Sequence, residues 1–225
     1  MTNSAKFDIQ ERKGGIHKTV AVLLLVMALL LSMFVYKVLQ PRVMSPKEMV
    51  NAGAIMFQLP REISEFQLSD KNGSEFSHQD LKGQWTFVFF GFTYCPDICP
   101  VTLALFDQLN TKLSETSYAD DTKFLLVSVD PARDTPEKLK EYVEYFNPSF
   151  EAITGDFVMT KRFANQLNVA FRKIVTNQDT GDYTIDHGGN IALINPEGRY
   201  QGFYKPPLDV ERMFITYQSF RLSNN

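Results

Sequence analysis

From Val20 to Tyr36 the chain is almost unbroken in apolar residues, with Lys18 and Lys37 on either side. In a helix rising about 1.5 Å per residue, about 17 residues span about 26 Å, and snorkelling lysines with Val38 and Leu39 extend this toward the ~30 Å hydrocarbon core. The pattern predicts one transmembrane helix over residues 19–39. Beyond it the apolar runs shorten to strand and helix lengths. Ile63 to Leu68 and Glu75-Phe76 flank the turn Asp70-Lys71-Asn72-Gly73 and predict a leading hairpin. Trp85 to Phe90 is short, aromatic and β-rich, the pattern of a buried strand. A helix follows to about Ser114, with Pro100 suited to its first turn. Next come a strand from Lys123 to Val129, a helix from Thr135 to Phe146 opened by Thr135-Pro136-Glu137, and a helix from Asp156 to Leu167. Strands at Phe171 to Val175, Ile191 to Ile194 and Tyr200 to Phe203, the last two joined by the turn Asn195-Pro196-Glu197-Gly198, precede a closing helix from Asp209 to about Phe220. Strands that alternate with helices early and pair by hairpins late specify an α/β domain with a mixed sheet.

This divides the chain into a leading segment at 1–18, the anchor at 19–39, a juxtamembrane linker at 40–60 marked by Pro41, Pro46 and Gly53, and one domain at 61–225. Lys6, Arg12, Lys13 and Lys18 crowd the leading segment, so the positive-inside rule keeps it cytoplasmic and sends the domain outward. The bulky Tyr36-Lys37-Val38-Leu39-Gln40 offers no small-x-small cleavage site, and Ala52-Gly53-Ala54 is too distant, which favours an uncleaved anchor in membrane lipid over a signal peptide. Asp8, Glu11 and the scarcity of arginine argue against a mitochondrial transit peptide and for a bacterial inner membrane with a periplasmic domain. Net charge is −3, and the basic residues after the anchor are scattered, so nucleic acid has no footprint. The stretch Asn177 to Asp182 lacks the spacing and distal glutamate of a calcium loop and reads as a hairpin turn. The 19 phenylalanines read as core.

Both cysteines lie in Gly91-Phe92-Thr93-Tyr94-Cys95-Pro96-Asp97-Ile98-Cys99-Pro100, between the buried strand and the helix after it. Backbone N–H groups and the helix dipole at such a junction favour an anionic sulfur, which binds metals or attacks disulfides. As a structural staple the pair would be poor, since a cross-link closing about five residues stabilises by about 2 kcal/mol against about 4.7 for a 100-residue loop. If the helix begins by Cys95, the two sulfurs sit one turn apart on one face and can meet a single ion. Two thiolates suit Cu(I) and Zn(II) and disfavour hard cations. Of the three histidines, His17 precedes the anchor and so lies across the bilayer, and His78 lies in Phe76-Ser77-His78-Gln79-Asp80-Leu81, the capped start of a short surface helix. His187 lies in the polar, glycine-bearing loop Tyr183 to Asn190, where glycines permit close approach, and is the candidate third ligand. A Cys2His set completes three-coordinate Cu(I), whereas structural zinc asks for a fourth ligand that the sequence does not obviously supply.

With the anchor, Cys95-Pro96-Asp97-Ile98-Cys99-Pro100 and Asp186-His187 in place, residues 60 to 220 resemble the SCO/SenC family of membrane-anchored copper proteins. Phe90-Gly91-Phe92-Thr93, Ser128 to Thr135 and Asn195-Pro196-Glu197-Gly198 belong to the same resemblance. It implies a thioredoxin-like fold, copper held by Cys95, Cys99 and His187, and a role in building the copper A centre of cytochrome c oxidase subunit II. It also implies that Asp130 supports the site from behind the ligands, although a strand-end acid capping a turn would explain that residue equally. Many relatives have histidine where this chain has Tyr94, a departure that leaves the ligands intact but bears on solvent access and redox tuning.

Delivery of copper to subunit II is the leading expectation, with a periplasmic thiol reductant and another copper chaperone as further partners. The rival is a thiol-disulfide reductase in which the Cys95–Cys99 pair reduces the cysteines of the same subunit. The two are compatible, because a receptor's disulfide must be reduced before it is metallated. A peroxidase would need a distal activating arginine, which the sequence does not identify.

Overall fold

The structure, a computed structural model, describes the backbone of residues 4–39 and 43–223; the predicted linker's first residues, 40–42, and positions 1–3 and 224–225 lie outside the described residues. So do the side chains of Leu39 and of residues 4–16, which include Lys6, Arg12 and Lys13. The chain divides at Val43 and Met44 into two compact units. In the first, α1 (Ser4–Leu39) is a single helix that continues through the polar residues before the predicted anchor. Its segment His17–Val38 has a mean hydropathy of 2.6 and no buried side chain, and among the described residues it is the one helix long and apolar enough to cross a membrane. Being apolar all round, it has no polar face to turn to water.

The second unit contains α2 (Pro46–Asn51), β1 (Ala54–Arg61), β2 (Gln67–Asp70), β3 (Glu75–Ser77), β4 (Trp85–Gly91), α3 (Ile98–Leu113), β5 (Thr122–Ser128), α4 (Pro136–Phe146), β6 (Glu151–Thr154), α5 (Phe157–Gln166), β7 (Phe171–Val175), β8 (Tyr183–His187), β9 (Ile191–Ile194), β10 (Tyr200–Tyr204) and α6 (Val210–Ser223). Eight strands form one mixed sheet in the order β1-β10-β9-β4-β5-β6-β2-β3, while β7 and β8 pair with each other alone. Within the large sheet β4-β5-β6 is parallel, and the remaining pairs are antiparallel. Strand β4 is buried at every position, the mark of a central strand covered on both faces. Its alternation sends Phe87 and Phe89 into a core with Phe106, Phe124, Phe150 and Tyr217, and Val88 and Phe90 into a core with Val127, Phe163 and Ile194 on the other face.

Three local readings need correction. Residues 46–60, expected as linker, fold onto the domain: a Ser45–Glu48 capping box and Pro46 start α2, Met49 is buried, and β1 becomes the edge partner of β10. The proline and glycine content suggests a linker, but β1 is stabilised by a non-local ladder in which Ala54 pairs with Tyr204 and Arg61 with Tyr200, a partner that no local pattern reveals. Strand β6 was not expected at all, and its four residues are too few to show a period of their own. The leading hairpin narrows to β2 and β3, with Ile63 and Phe66 buried outside any strand. The turn at 177–182 does close a hairpin, through hydrogen bonds from the amides of Thr176 and Asn177 to Asp182 O.

Candidate metal centre

At the end of β4 the chain leaves the sheet at Gly91, tied there by Val129 N–H donating to its carbonyl at 2.9 Å. The helix does not begin by Cys95 as the one-turn argument assumed; α3 starts at Ile98, and Cys95 lies in the preceding loop with its amide donating to Phe92 O at 3.2 Å. Cys95 precedes Pro96, whose ring disfavours the helical region for the residue before it, and Asp97 sits at φ −133°, ψ −84°. The sulfurs nonetheless converge, one from the loop and one from the first turn of α3. Cys95 Sγ, Cys99 Sγ and an imidazole nitrogen of His187 all lie within 4.8 Å of one another. With ligand bonds of about 2.0–2.3 Å, three such atoms can surround one ion.

Gly91 makes room for this. A Cβ there would stand 2.8 Å from Cys99 Sγ and 3.0 Å from Phe89 Cε1. The glycines beside His187, which had suggested close approach to the site, do something else: a Cβ on Gly189 would meet Pro206 Cγ at 3.0 Å, and one on Gly188 would meet nothing. His187 is also not on a loop but is the last residue of β8. Its Nε2 is 3.5 Å from Cys99 Sγ, and its Nδ1 is 3.3 Å from Gly188 O, so the proton belongs on Nδ1 and the Nε2 lone pair faces the sulfurs. The rings of Phe89 and Phe92 flank the imidazole edge-on at centroid distances of 5.8 and 5.7 Å.

The two sulfurs are unequal. Cys99 is fully buried and Cys95 half-buried. The Cys99 thiol donates to Cys95, which lowers the Cys95 thiol to about 4 against the opposing cost of its burial; hydrogen bonds from the backbone of Asp97 and Cys99 lower it further. The same hydrogen bond, together with burial, raises Cys99. In the metal-free, reduced site Cys95 is therefore the thiolate and Cys99 the thiol.

Behind the loop lies a carboxylate that sequence reasoning did not single out. Asp134 is fully buried and accepts from Thr93 Oγ1 at 2.6 Å, Thr93 N at 3.1 Å and Ser128 Oγ at 2.7 Å, pinning the loop to the end of β5. It sits in the quoted Ser128 to Thr135 segment, but nothing local separates it from Asp130 in role. Asp130 is buried too and lies outside the cluster of ligand atoms; its carboxylate accepts from Tyr183 Oη at 2.9 Å and pairs with Arg133. Tyr94 turns outward, 56% exposed, and Lys138 Nζ stands 3.7 Å over its ring, so it adds nothing to the donor set. With Thr93, Lys138, Glu141, Tyr142 and Tyr145 it lines a groove of about 470 Å³ beside the cysteine loop. His78 is elsewhere, at the capped 3-10 turn the sequence suggested, with Nε2 2.9 Å from Gly198 O. His17 belongs to α1 in the other unit.

Two thiols and an imidazole in such proximity can hold a soft ion, or the two sulfurs can exchange with a disulfide. The SCO1/SenC family model matches residues 57–219. A Stutzerimonas stutzeri protein provisionally named for copper binding is 40% identical over 159 residues, covering 68% of this chain and 74% of that one. The mitochondrial protein SCO2 of Saccharomyces cerevisiae is 41% identical over 140 residues, which cover 60% of this chain but only 44% of the yeast protein. The crystal structure of Arabidopsis thaliana ScoI with copper bound superposes with a TM-score of 0.65 at 33% identity, covering 71% of this chain and 98% of that one. The large sheet and its covering helices are thus the thioredoxin-like fold of those proteins.

Proposed function

The chain belongs to the SCO1/SenC family, and from that premise we propose that it binds copper through Cys95, Cys99 and His187 and delivers it to the copper A centre of cytochrome c oxidase subunit II. The observation that carries the reading is the convergence of two thiols and an imidazole, with the Nε2 lone pair turned toward them. The donor set fits copper as cargo: two soft sulfurs and one nitrogen satisfy Cu(I), and no fourth protein ligand belongs to the cluster among the described residues. Exposure gives the transfer an order. A thiolate of the receiving protein meets the half-buried Cys95 first, and Cys99 and His187 let go afterwards. In this reading α1 anchors the chain in a bacterial inner membrane and the domain works in the periplasm, served by a thiol reductant and supplied by another copper chaperone.

A second reading has an observation of its own. A thiolate at Cys95 beside a thiol at Cys99 is the arrangement that attacks a disulfide and then resolves the mixed disulfide, so the pair could instead reduce the cysteines of subunit II before metallation. His187→Ala separates the two, because it removes a ligand and leaves both thiols. In the detergent-solubilised full chain it should lower copper affinity by orders of magnitude with thiol content unchanged. In cells at limiting copper it should fail to support assembly of the oxidase, and added copper should partly restore activity. Full oxidase assembly by this variant would overturn delivery and leave the reductase reading standing.

A further inference from the structure

The histidine reaches the site on an element that the large sheet does not hold. Strands β7 and β8 pair only with each other, and Ile185 and Phe171 are their only buried residues. Tyr183, Ile185 and His187 alternate onto one face of β8, with Tyr183 at one end and His187 at the other. What secures the Tyr183 end is Arg133. Its Nε pairs with the buried Asp130 carboxylate, and its Nη1 donates to Tyr183 O at 3.2 Å. Its guanidinium lies 3.8 Å over the Tyr183 ring, while Lys173 Nζ stands 3.5 Å from that ring, and Tyr183 Oη returns a hydrogen bond to Asp130. The same guanidinium also lies 4.7 Å over Tyr94 and 5.8 Å over Phe92, and the Phe92 ring abuts His187. One side chain therefore touches both the loop that carries Cys95 and the hairpin that carries His187. Its Nη2 is buried without a partner among the described residues, so the position is kept despite an unsatisfied donor.

We infer that Arg133 and Tyr183, acting through Asp130, are positioning residues that clamp the β7–β8 hairpin to the cysteine loop and so set the approach of His187 to the two sulfurs. The inference rests on the reading of His187 as a copper ligand. A planar, stacked guanidinium fork cannot be replaced by an ammonium, so Arg133→Lys should release the clamp while keeping the charge. Tyr183→Phe keeps the ring and removes only the hydrogen bond to Asp130.

The test is a double-mutant cycle on the detergent-solubilised full chain. Tyr183→Phe and Arg133→Lys should each speed amide exchange across residues 171–187 while leaving β4 and β5 protected. Each should lower copper affinity about 10-fold or more, the scale seen when a partner that orients a ligand is lost. In a His187→Ala background the same substitutions should change copper affinity less than about twofold, because the ligand they position is gone. An affinity loss that persists without His187, or hairpin exchange unchanged from wild type, would overturn the clamp. If His187→Ala alone leaves affinity unchanged, the ligand assignment fails, and hairpin exchange still decides whether the clamp exists.

Discussion

The cysteine loop and the histidine hairpin contribute to one site but are held by different means. The loop is seated between a central strand and a long helix, with Phe92 and Cys99 buried, Asp134 gripping Thr93 through two hydrogen bonds and tied to β5 by a third from Ser128, and Gly91 leaving no spare volume at the sulfur. The hairpin has a mostly exposed β7, no ladder to the large sheet, and few buried side chains. Elements with few buried contacts open at lower free energy than the core they lie on. The two sulfurs therefore form a preset pair, whereas the imidazole is the donor group whose distance can change.

The largest break in that comparison should come from the rigid side. Cys99→Ser exchanges the buried sulfur for a poor soft-metal ligand and should lower copper affinity by orders of magnitude, read by competition with a Cu(I) chelator. It should do so without loosening the hairpin in amide exchange; a loosened hairpin would mean that the sulfur holds it.

Next is the inequality of the sulfurs. A thiol lowered to about 4 is thiolate above that pH, so alkylation of Cys95 in the reduced protein should persist as pH falls through the ordinary thiol range near 8.5 and be lost only toward about 4. Cys99 should stay unmodified throughout. Cys99→Ala removes the donor and should shift the Cys95 profile upward by pH units, as followed by mass spectrometry. A wild-type midpoint near 8.5 would show that the two thiols do not share that hydrogen bond.

Smaller effects compare one glycine in each region. Gly91→Ala places a methyl 2.8 Å from Cys99 Sγ, a core overpacking that should cost about 1–3 kcal/mol in denaturant unfolding and weaken copper binding with it. Gly181 has φ +73° and open space around it, so Gly181→Ala strains only the hairpin turn, by about 1 kcal/mol. Its signature should be faster exchange within residues 171–187 and an unchanged global unfolding midpoint. A fall in global stability as large as that for Gly91→Ala would erase the distinction between seated loop and loosely held hairpin.

Much of the site was legible along the chain because it depends on neighbours in sequence. Trp85 to Phe90 reads as a buried strand from its own aromatic run, Thr135-Pro136-Glu137 and Asp156 mark helix starts that the structure keeps, and the cysteines fall at a strand-to-helix junction. Other readings failed where the deciding partner is distant. Residues 46–60 look like a linker until β10 pairs with β1, and the loop expected around His187 is a strand only because β7 lies beside it. Nothing along the chain marks Gly91 as special, and only the seating of Cys99 shows why no side chain fits there.

What the sequence determined by itself was the kind of chemistry available: a soft donor set of two cysteines and a histidine, a helix apolar enough for a bilayer, and an α/β order of elements. These follow from side-chain chemistry and from periodicities that each segment carries alone. The tertiary structure decided the rest: which sulfur is the thiolate, that Asp134 grips the loop while Asp130 reaches the hairpin, and that Arg133 spans both. Hydrogen bonding and burial at those positions depend on residues as far apart in the chain as Cys99 and His187, 88 places, and only folding brings them together.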